Sequence, residues 1–268
     1  MTDPGAARFA RTRREPPRFR EVEVRAVQPL TPWMLRVTFG GSDLDGFAVD
    51  EPAASVRLLL PSAPNAELVR PAWNGNEFRL PDGTRPVIRT LTPLRSDRDA
   101  LTLDVEIVVH ADGRASQWAT SVRLGAIAAV SGPGRGYVVD PSADAFLVAG
   151  DETALPAIGQ LVPLLPASAA VAVHVEIAHP DARLPIPGHP AASIAWHDAS
   201  ADAPPGTALL DAVLAAEADA ETRVWIAGEA ASMQRIRRKL FTERGLPRTN
   251  TTIRGYWKHG RAGDGDES

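Results

Sequence analysis

Asp151 and Glu152 stand where an anion would be expected to sit. The stretch LVAGDETALPAI (147–158) runs from an apolar segment through Gly150, two carboxylates, Thr153 and Ala154 into a helix with Pro156 in its first turn. Strand, tight turn and helix make the outline of a nucleotide-binding crevice, where bare glycine amides usually face a phosphate. WIAGEAASMQR (225–235) repeats the design, with Gly228 and Glu229 at the turn. A carboxylate at a helix start stabilises it by about 0.5–2 kcal/mol, yet two of them repel a pyrophosphate. The phosphates of any nucleotide are therefore expected elsewhere.

Other segments carry the complementary chemistry. RTLT (89–92) holds Arg89, Thr90, Leu91 and Thr92 on a strand. The planar guanidinium of Arg89 suits a pyrophosphate, and Thr92 offers a hydroxyl on the face of Thr90. The same residues also read as a solvent-facing arginine and ordinary β-branched strand positions. In HADGRASQW (110–118), His110 ends a strand, Asp112-Gly113 breaks it, and Ala115-Ser116 open a helix. The unpaired first amides of that helix, with the Ser116 hydroxyl, could hold an anion, or Asp112 or Ser116 could simply cap it. TTIRGYWKHG (251–260) puts Arg254, Tyr256 and Lys258 on one face of a strand, with Ile253 and Trp257 on the other. That cluster serves either a site or the anchoring of the chain end. Met233, Ile236 and Leu240 recur at helical spacing as core, leaving Arg235, Arg237, Arg238 and Lys239 on a basic face, solvated or open to an anionic ligand.

Two kinds of periodicity position these residues. From 18 to 142, short strands with Gly/Pro punctuation (22–27, 34–39, 55–61, 77–84, 87–95 and 101–110) argue for an antiparallel barrel, with one helix at 114–123. From 143 to 268, apolar strands alternate with helices: strands 146–150, 171–178, 193–197, 223–228 and 251–257, helices 153–165, 207–218 and 229–244. That alternation reads as a parallel sheet covered on both faces, with ligands at the carboxyl ends of its strands. Residues 1–17 form a basic tail; Arg13-Arg14 has no apolar stretch behind it, so an export signal is not expected.

Bulk properties narrow the class. The chain has 268 residues, 44% hydrophobic and 23% charged, with a net charge of −4. Nucleic acid and anionic membrane are not expected partners. No apolar run approaches the ~18 residues needed to cross a bilayer. The absence of cysteine removes disulfides and thiolate-bound metals, and fits a cytoplasmic protein.

A barrel followed by an α/β nucleotide domain resembles the ferredoxin reductase-like flavoenzymes. Within that class, the ordered set RTLT, HADGRASQW, GDETALPAI, AGE and YWKHG resembles the siderophore-interacting protein family over nearly the whole chain. The resemblance implies an FAD-binding barrel, an NAD(P)H-binding second domain and reduction of ferric siderophores by a cytoplasmic monomer. It implies that hydride passes from the nicotinamide to the flavin and single electrons pass on to chelated iron, with no side-chain catalyst. By the family's motifs, Arg89, Thr90, Leu91, Thr92, His110, Gly113, Ala115 and Ser116 would contact FAD. Asp151, Thr153, Ala154, Gly228, Glu229 and Trp257 would line the cofactors' reacting ends, with Thr153 the foremost contact. Lys258, Arg254 and Tyr256 would face the siderophore.

Leu91 departs from the family's tyrosine. Its absence removes a hydrogen bond and ring packing worth together roughly 1–3 kcal/mol, or about 5- to 150-fold in FAD affinity. In AHPDARLP (178–185), Arg183 suits the 2′-phosphate of NADPH and Asp181 a free ribose hydroxyl, with NADPH the expected donor. Two other functions remain open: a flavin or ferredoxin-type reductase with a different acceptor, and a siderophore-binding flavoprotein without turnover.

Overall fold

The computed structural model describes residues 17–110 and 113–260. The basic tail before residue 17, the Asp112 cap and the chain beyond Gly260 lie outside the described residues.

The first half is a seven-stranded antiparallel sheet in the order β6-β3-β9-β1-β2-β8-β7. Its strands are β1 (Arg20–Thr31), β2 (Met34–Gly40), β3 (Val56–Leu60), β6 (Val87–Leu91), β7 (Pro93–Asp97), β8 (Thr102–Val108) and β9 (Ile127–Ser131). Alternating residues from them, including Val24, Val37, Phe39, Leu58, Leu103, Val105 and Val130, fill one core. Helix α1 (Arg114–Ser121) seats Trp118 in it, stacked on Phe39 at 6.0 Å. The two edge strands, β6 and β7, are consecutive in the chain and joined through Thr92, so the backbone itself closes the barrel.

That closure corrects one expectation. The run 87–95 is two strands, because β6 pairs with β3 while β7 pairs with β8. Thr92 is buried at the turn between them, whereas Thr90 is exposed. The expected strand 77–84 also contracts, to β5 (Phe78–Arg79), paired with β4 (Ala72–Trp73) in a separate ribbon. A turn at 80–84, with Gly83 at φ 81, ends it.

The second half is a five-stranded parallel sheet, β12-β11-β10-β13-β14. Its strands are β10 (Ala145–Asp151), β11 (Ala170–Ile177), β12 (Ala192–Asp198), β13 (Arg223–Glu229) and β14 (Thr251–Trp257). Helix α2 (Leu155–Leu161) covers one face through Leu155, Ile158 and Leu161 on Val148, Val173 and Trp225. Helices α3 (Thr207–Ala215) and α4 (Ala230–Arg238) cover the other through Leu209, Val213, Met233 and Ile236. Burial on both faces explains why the strand FLVA reads as a continuous apolar run. The helix expected over 153–165 is in three pieces, an opening 3-10 turn, α2 and a closing 3-10 turn at Val162–Leu164, where Pro163 has no N–H to donate. Strand order reverses between β10 and β13, so the crevice of this domain opens at their carboxyl ends.

Met34, Leu30 and Val108 of the barrel pack into the α2-side core, which makes the two halves share apolar surface. Asp140 fixes the connection by accepting from Arg223 Nε at 2.9 Å and Nη2 at 2.7 Å. Bonds from Ser142 and then Arg223 hold the Asp140 carboxyl at about 2, below its ordinary 3.8. A carboxylate held low in the fold adds stability above its unfolded value and loses it as the pH falls. Asp140→Asn is therefore expected to lower the urea midpoint above pH 4, and the difference from wild type should vanish as the pH approaches about 2.

Candidate functional site

The carboxyl edge of the parallel sheet is built around Asp151. Its Oδ1 accepts the Thr153 amide at 3.0 Å and the Thr153 hydroxyl at 2.5 Å; its Oδ2 accepts the Glu229 amide at 3.0 Å and Trp257 Nε1 at 2.7 Å. One carboxylate thus joins the ends of β10, β13 and β14 to the first turn before α2. Gly228 leaves room for this carboxylate, and Gly150 for the turn that follows. A Cβ on Gly228 would lie 2.7 Å from Asp151 Oδ2, and one on Gly150 would collide with the Ala154 methyl and stand 2.8 Å from the Ala227 carbonyl. Ala154 is wholly buried in that packing and presents no side-chain surface to a ligand.

The neighbouring carboxylates do the same work. Glu152 accepts from the Ala178 amide at the end of β11. Glu229 Oε2 accepts the Ser232 amide at 2.7 Å, capping α4, and its Oε1 accepts the His259 amide at 3.3 Å. Glu176, which sequence reasoning missed, caps α3 through the Gly206 and Leu209 amides at 2.6 and 2.7 Å. An acid recurs at the strand end in AGDE, VEIA and AGEA, and that recurrence was the available signal. The positions an anion would take at the starts of α3 and α4 are filled by the protein's own carboxylates. Burial pushes the Asp151 and Glu152 carboxyls above their ordinary values, against the donors that favour the charged form.

The barrel side is chemically different. Arg89 is half-buried on β6, opposite Leu58, with Nη1 on the Ile88 carbonyl at 2.7 Å. Leu91 packs against the barrel core. Helix α1 opens at Gly113 without a side-chain cap from that residue, and its first internal bond runs from the Gln117 amide to the Gly113 carbonyl at 2.8 Å. The Ser116 hydroxyl, however, is spent. It accepts the His110 amide at 2.9 Å and donates to the His110 carbonyl at 2.8 Å, and Ser116 is 3% exposed. This clasp curls the strand end over the helix start, so the His110 imidazole occupies the space that a Gly113 side chain would need. Ala115 packs on the barrel core.

The last strand joins the two sides. The Tyr256 hydroxyl bonds to the Thr92 side chain, and its ring meets Trp225 edge-on at 6.4 Å. Burial raises the Tyr256 hydroxyl above its ordinary value. A bulge between Gly228 and Glu229 lets Trp257 turn to Asp151, with 36% of its surface still open. Arg254 reaches the barrel, donating to the carbonyls of Ala53 at 2.8 Å and Gly136 at 2.7 Å. Lys258 is exposed. Arg183 stacks over Trp196 and lies 3.4 Å from Asp198.

On the barrel, the Arg89 guanidinium and the first amides of α1 are each donors suited to phosphate, while the exposed Thr90 hydroxyl lies on the opposite face of β6 from Arg89; Tyr256 and Trp257 present aromatic surface at the seam. This chemistry fits a phosphorylated cofactor with a planar ring.

Barrel and switched parallel sheet together are the architecture of the ferredoxin reductase-like class. Residues 23–137 match the siderophore-interacting FAD-binding domain and residues 143–260 the siderophore-interacting protein domain, and the chain belongs to the siderophore-interacting protein family. A siderophore utilization protein from T. fusca is similar in structure, at 35% identity and a TM-score of 0.79 over 92% of this chain and 95% of that one. Ferric vibriobactin reductase ViuB of Vibrio cholerae is 26% identical over 85% of each chain. An NADPH-dependent ferric-chelate reductase of Escherichia coli is 35% identical over 53% of this chain and 55% of its own.

The bond network sets an order of sensitivity. Asp151→Ala leaves two amides, a hydroxyl and an indole N–H without their acceptor, and is expected to cost roughly 3–5 kcal/mol in urea unfolding. Trp257→Phe removes one donor at a half-open position and should cost about 1 kcal/mol.

Proposed function

We propose that the protein is an FAD-dependent NAD(P)H:ferric-siderophore reductase that works as a monomer and releases iron in the cytoplasm. The observation that carries this reading is the seam at which Thr92–Tyr256 and Asp151–Trp257 join the barrel's closing turn to the crevice of the nucleotide domain. Bound flavin supplies the conversion of a hydride donor into the one-electron steps that ferric iron requires.

The chain's own residues position and discriminate. Arg89 and the amides opening α1 hold the FAD pyrophosphate, with the His110 ring packed against Gly113 beside that helix start. The carboxylates of Asp151, Glu152 and Glu229 repel phosphate from the sheet's edge, which reserves it for the uncharged rings. Thr153, oriented by Asp151, forms the floor of that space, with Ala154 buried beneath it as support and Gly228 making room for the Asp151 carboxylate. Trp257 is held by Asp151 as its wall. Lys258 stands at the exposed rim, where a cation attracts the anionic groups of a ferric siderophore. Ferrous iron is a weaker partner for hard oxygen ligands, so reduction favours its release.

Under anaerobic conditions, NADPH is expected to bleach the flavin of the holoprotein, and a ferric siderophore to restore its colour. Lys258→Glu should slow reoxidation by an anionic ferric siderophore more than by an uncharged quinone; equal losses would remove Lys258 from substrate recognition. Protein that stays colourless after FAD addition supports the non-catalytic carrier instead, and bleached protein that only other acceptors reoxidise supports a general reductase.

Arg183 is the candidate for the 2′-phosphate, with its guanidinium steadied by Trp196 and Asp198. Arg183→Ala is expected to lower kcat/KM for NADPH by about tenfold while leaving NADH unchanged. Parallel steady-state rates with the two donors measure this.

A further inference from the structure

Ala53 lies in the connection between β2 and β3, wholly buried, with φ +52. That left-handed backbone is unfavourable for a residue with a Cβ and persists only where its surroundings impose it. Two of the bonds that hold it there come from the other domain. The Ala53 amide donates to Gln160 Oε1 at 2.9 Å, and the Ala53 carbonyl accepts Arg254 Nη1 at 2.8 Å. Gln160, on α2, also donates through Nε2 to the carbonyls of Pro93 at 2.7 Å and Leu94 at 2.9 Å, at the start of β7. Arg254, on β14, also donates through Nη2 to Gly136 at 2.7 Å. The segments it bridges are tied to each other, because the Gly136 amide donates to Glu51 and the Tyr137 amide to the Pro52 carbonyl, both at 2.8 Å.

Two side chains from separate elements therefore grip one barrel residue by its donor and its acceptor. Their places in the chain give this grip its meaning. Gln160 is two helical turns, roughly 10 Å, beyond Thr153 on the helix that starts at the Asp151 turn. Arg254 is two strand positions, about 7 Å, before Tyr256. The apolar part of the domain contact, Met34, Leu30 and Val108, is non-directional and tolerates sliding, whereas hydrogen bonds to fixed carbonyls do not.

We propose that Gln160 and Arg254 are positioning residues for hydride transfer: by pinning Ala53 from both sides they set the nucleotide domain's crevice at a fixed distance from the flavin-binding face of the barrel. This rests on the reductase reading. Neither residue need touch a cofactor.

The test compares wild type with Gln160→Leu, Arg254→Met, Arg254→Lys and the Gln160→Leu/Arg254→Met double variant. In the apoprotein, amide hydrogen exchange over 51–55 should quicken in each. In the holoprotein, the limiting rate of anaerobic bleaching at saturating NADPH should fall on the order of 10- to 100-fold, the size of loss that follows a misplacement near 1 Å. The FAD dissociation constant and reduction by dithionite should stay as in wild type. The double variant should be little slower than the slower single, because both act through one residue. Arg254→Lys should be as slow as Arg254→Met, since an ammonium cannot bridge two carbonyls as the guanidinium does. A lower melting temperature with an unchanged limiting rate would overturn the proposal and leave the two residues merely stabilising. Loss of FAD affinity in step with the rate would overturn it too, as would full recovery by Arg254→Lys. Wild-type holoprotein that NADPH fails to bleach would instead remove the reductase reading, and the exchange data would still report the pin.

Discussion

A buried carboxylate cannot stand alone, and Asp151 organises this protein because of that constraint. Leaving an ion of its kind without partners costs several kcal/mol, so its four acceptor positions draw in donors from wherever the chain can supply them. Two come from the next residue but one, one from the end of β13 and one from the indole of the last strand. The edge of the sheet is thereby assembled as one unit. Gly228 follows from it, since a side chain there would occupy space the network uses, while Gly150 makes room for Ala154 in the turn that carries Thr153. The aromatic residues that close the crevice also owe their position to it.

The other acids extend the same logic into a division of labour. Helix starts in a parallel sheet usually serve as phosphate sites, and here those of α3 and α4 are neutralised from within by Glu176 and Glu229. In the proposed reading, the phosphate chemistry is left to the barrel, with Arg89 and the opening of α1. That reading sorts the charged and uncharged ends of a ligand to opposite sides of one seam.

Local pattern carried most of the fold. The last strand is found over 251–257 as expected, and the change of periodicity near 144 coincides with β10. Where expectation and structure part, the deciding interaction is long-range. Nothing local in VIRTLTPLR says that its two halves pair with different strands, since β3 and β8 lie far apart in sequence. Asp151 and Glu152 were legible as anomalies, but their partners were not: Trp257 is 106 residues away and has no pattern linking it to a turn. Ser116 reads as either a ligand contact or a cap, and its hydroxyl instead bonds both backbone groups of His110, six residues before it, which residue type alone does not announce. Gln160 and Ala53 look unremarkable in sequence, because a glutamine on a helix and an alanine in a loop acquire meaning only from what lies 107 residues away.

The strand order of the barrel has a consequence for its pairing. β9, the last of its strands to be made, lies in the middle of the sheet, between β3 and β1. Without β9, the strand pairings fall into two sets, β6–β3 and β1–β2–β8–β7, tethered through Thr92 but not bonded to each other. The small-residue strand IAAVS pairs with both facing edges at once, and so supplies partners to amides and carbonyls that neither set satisfies alone. The pairing of the whole barrel thus depends on the last of its strands in the chain, fourteen residues ahead of the first strand of the nucleotide domain.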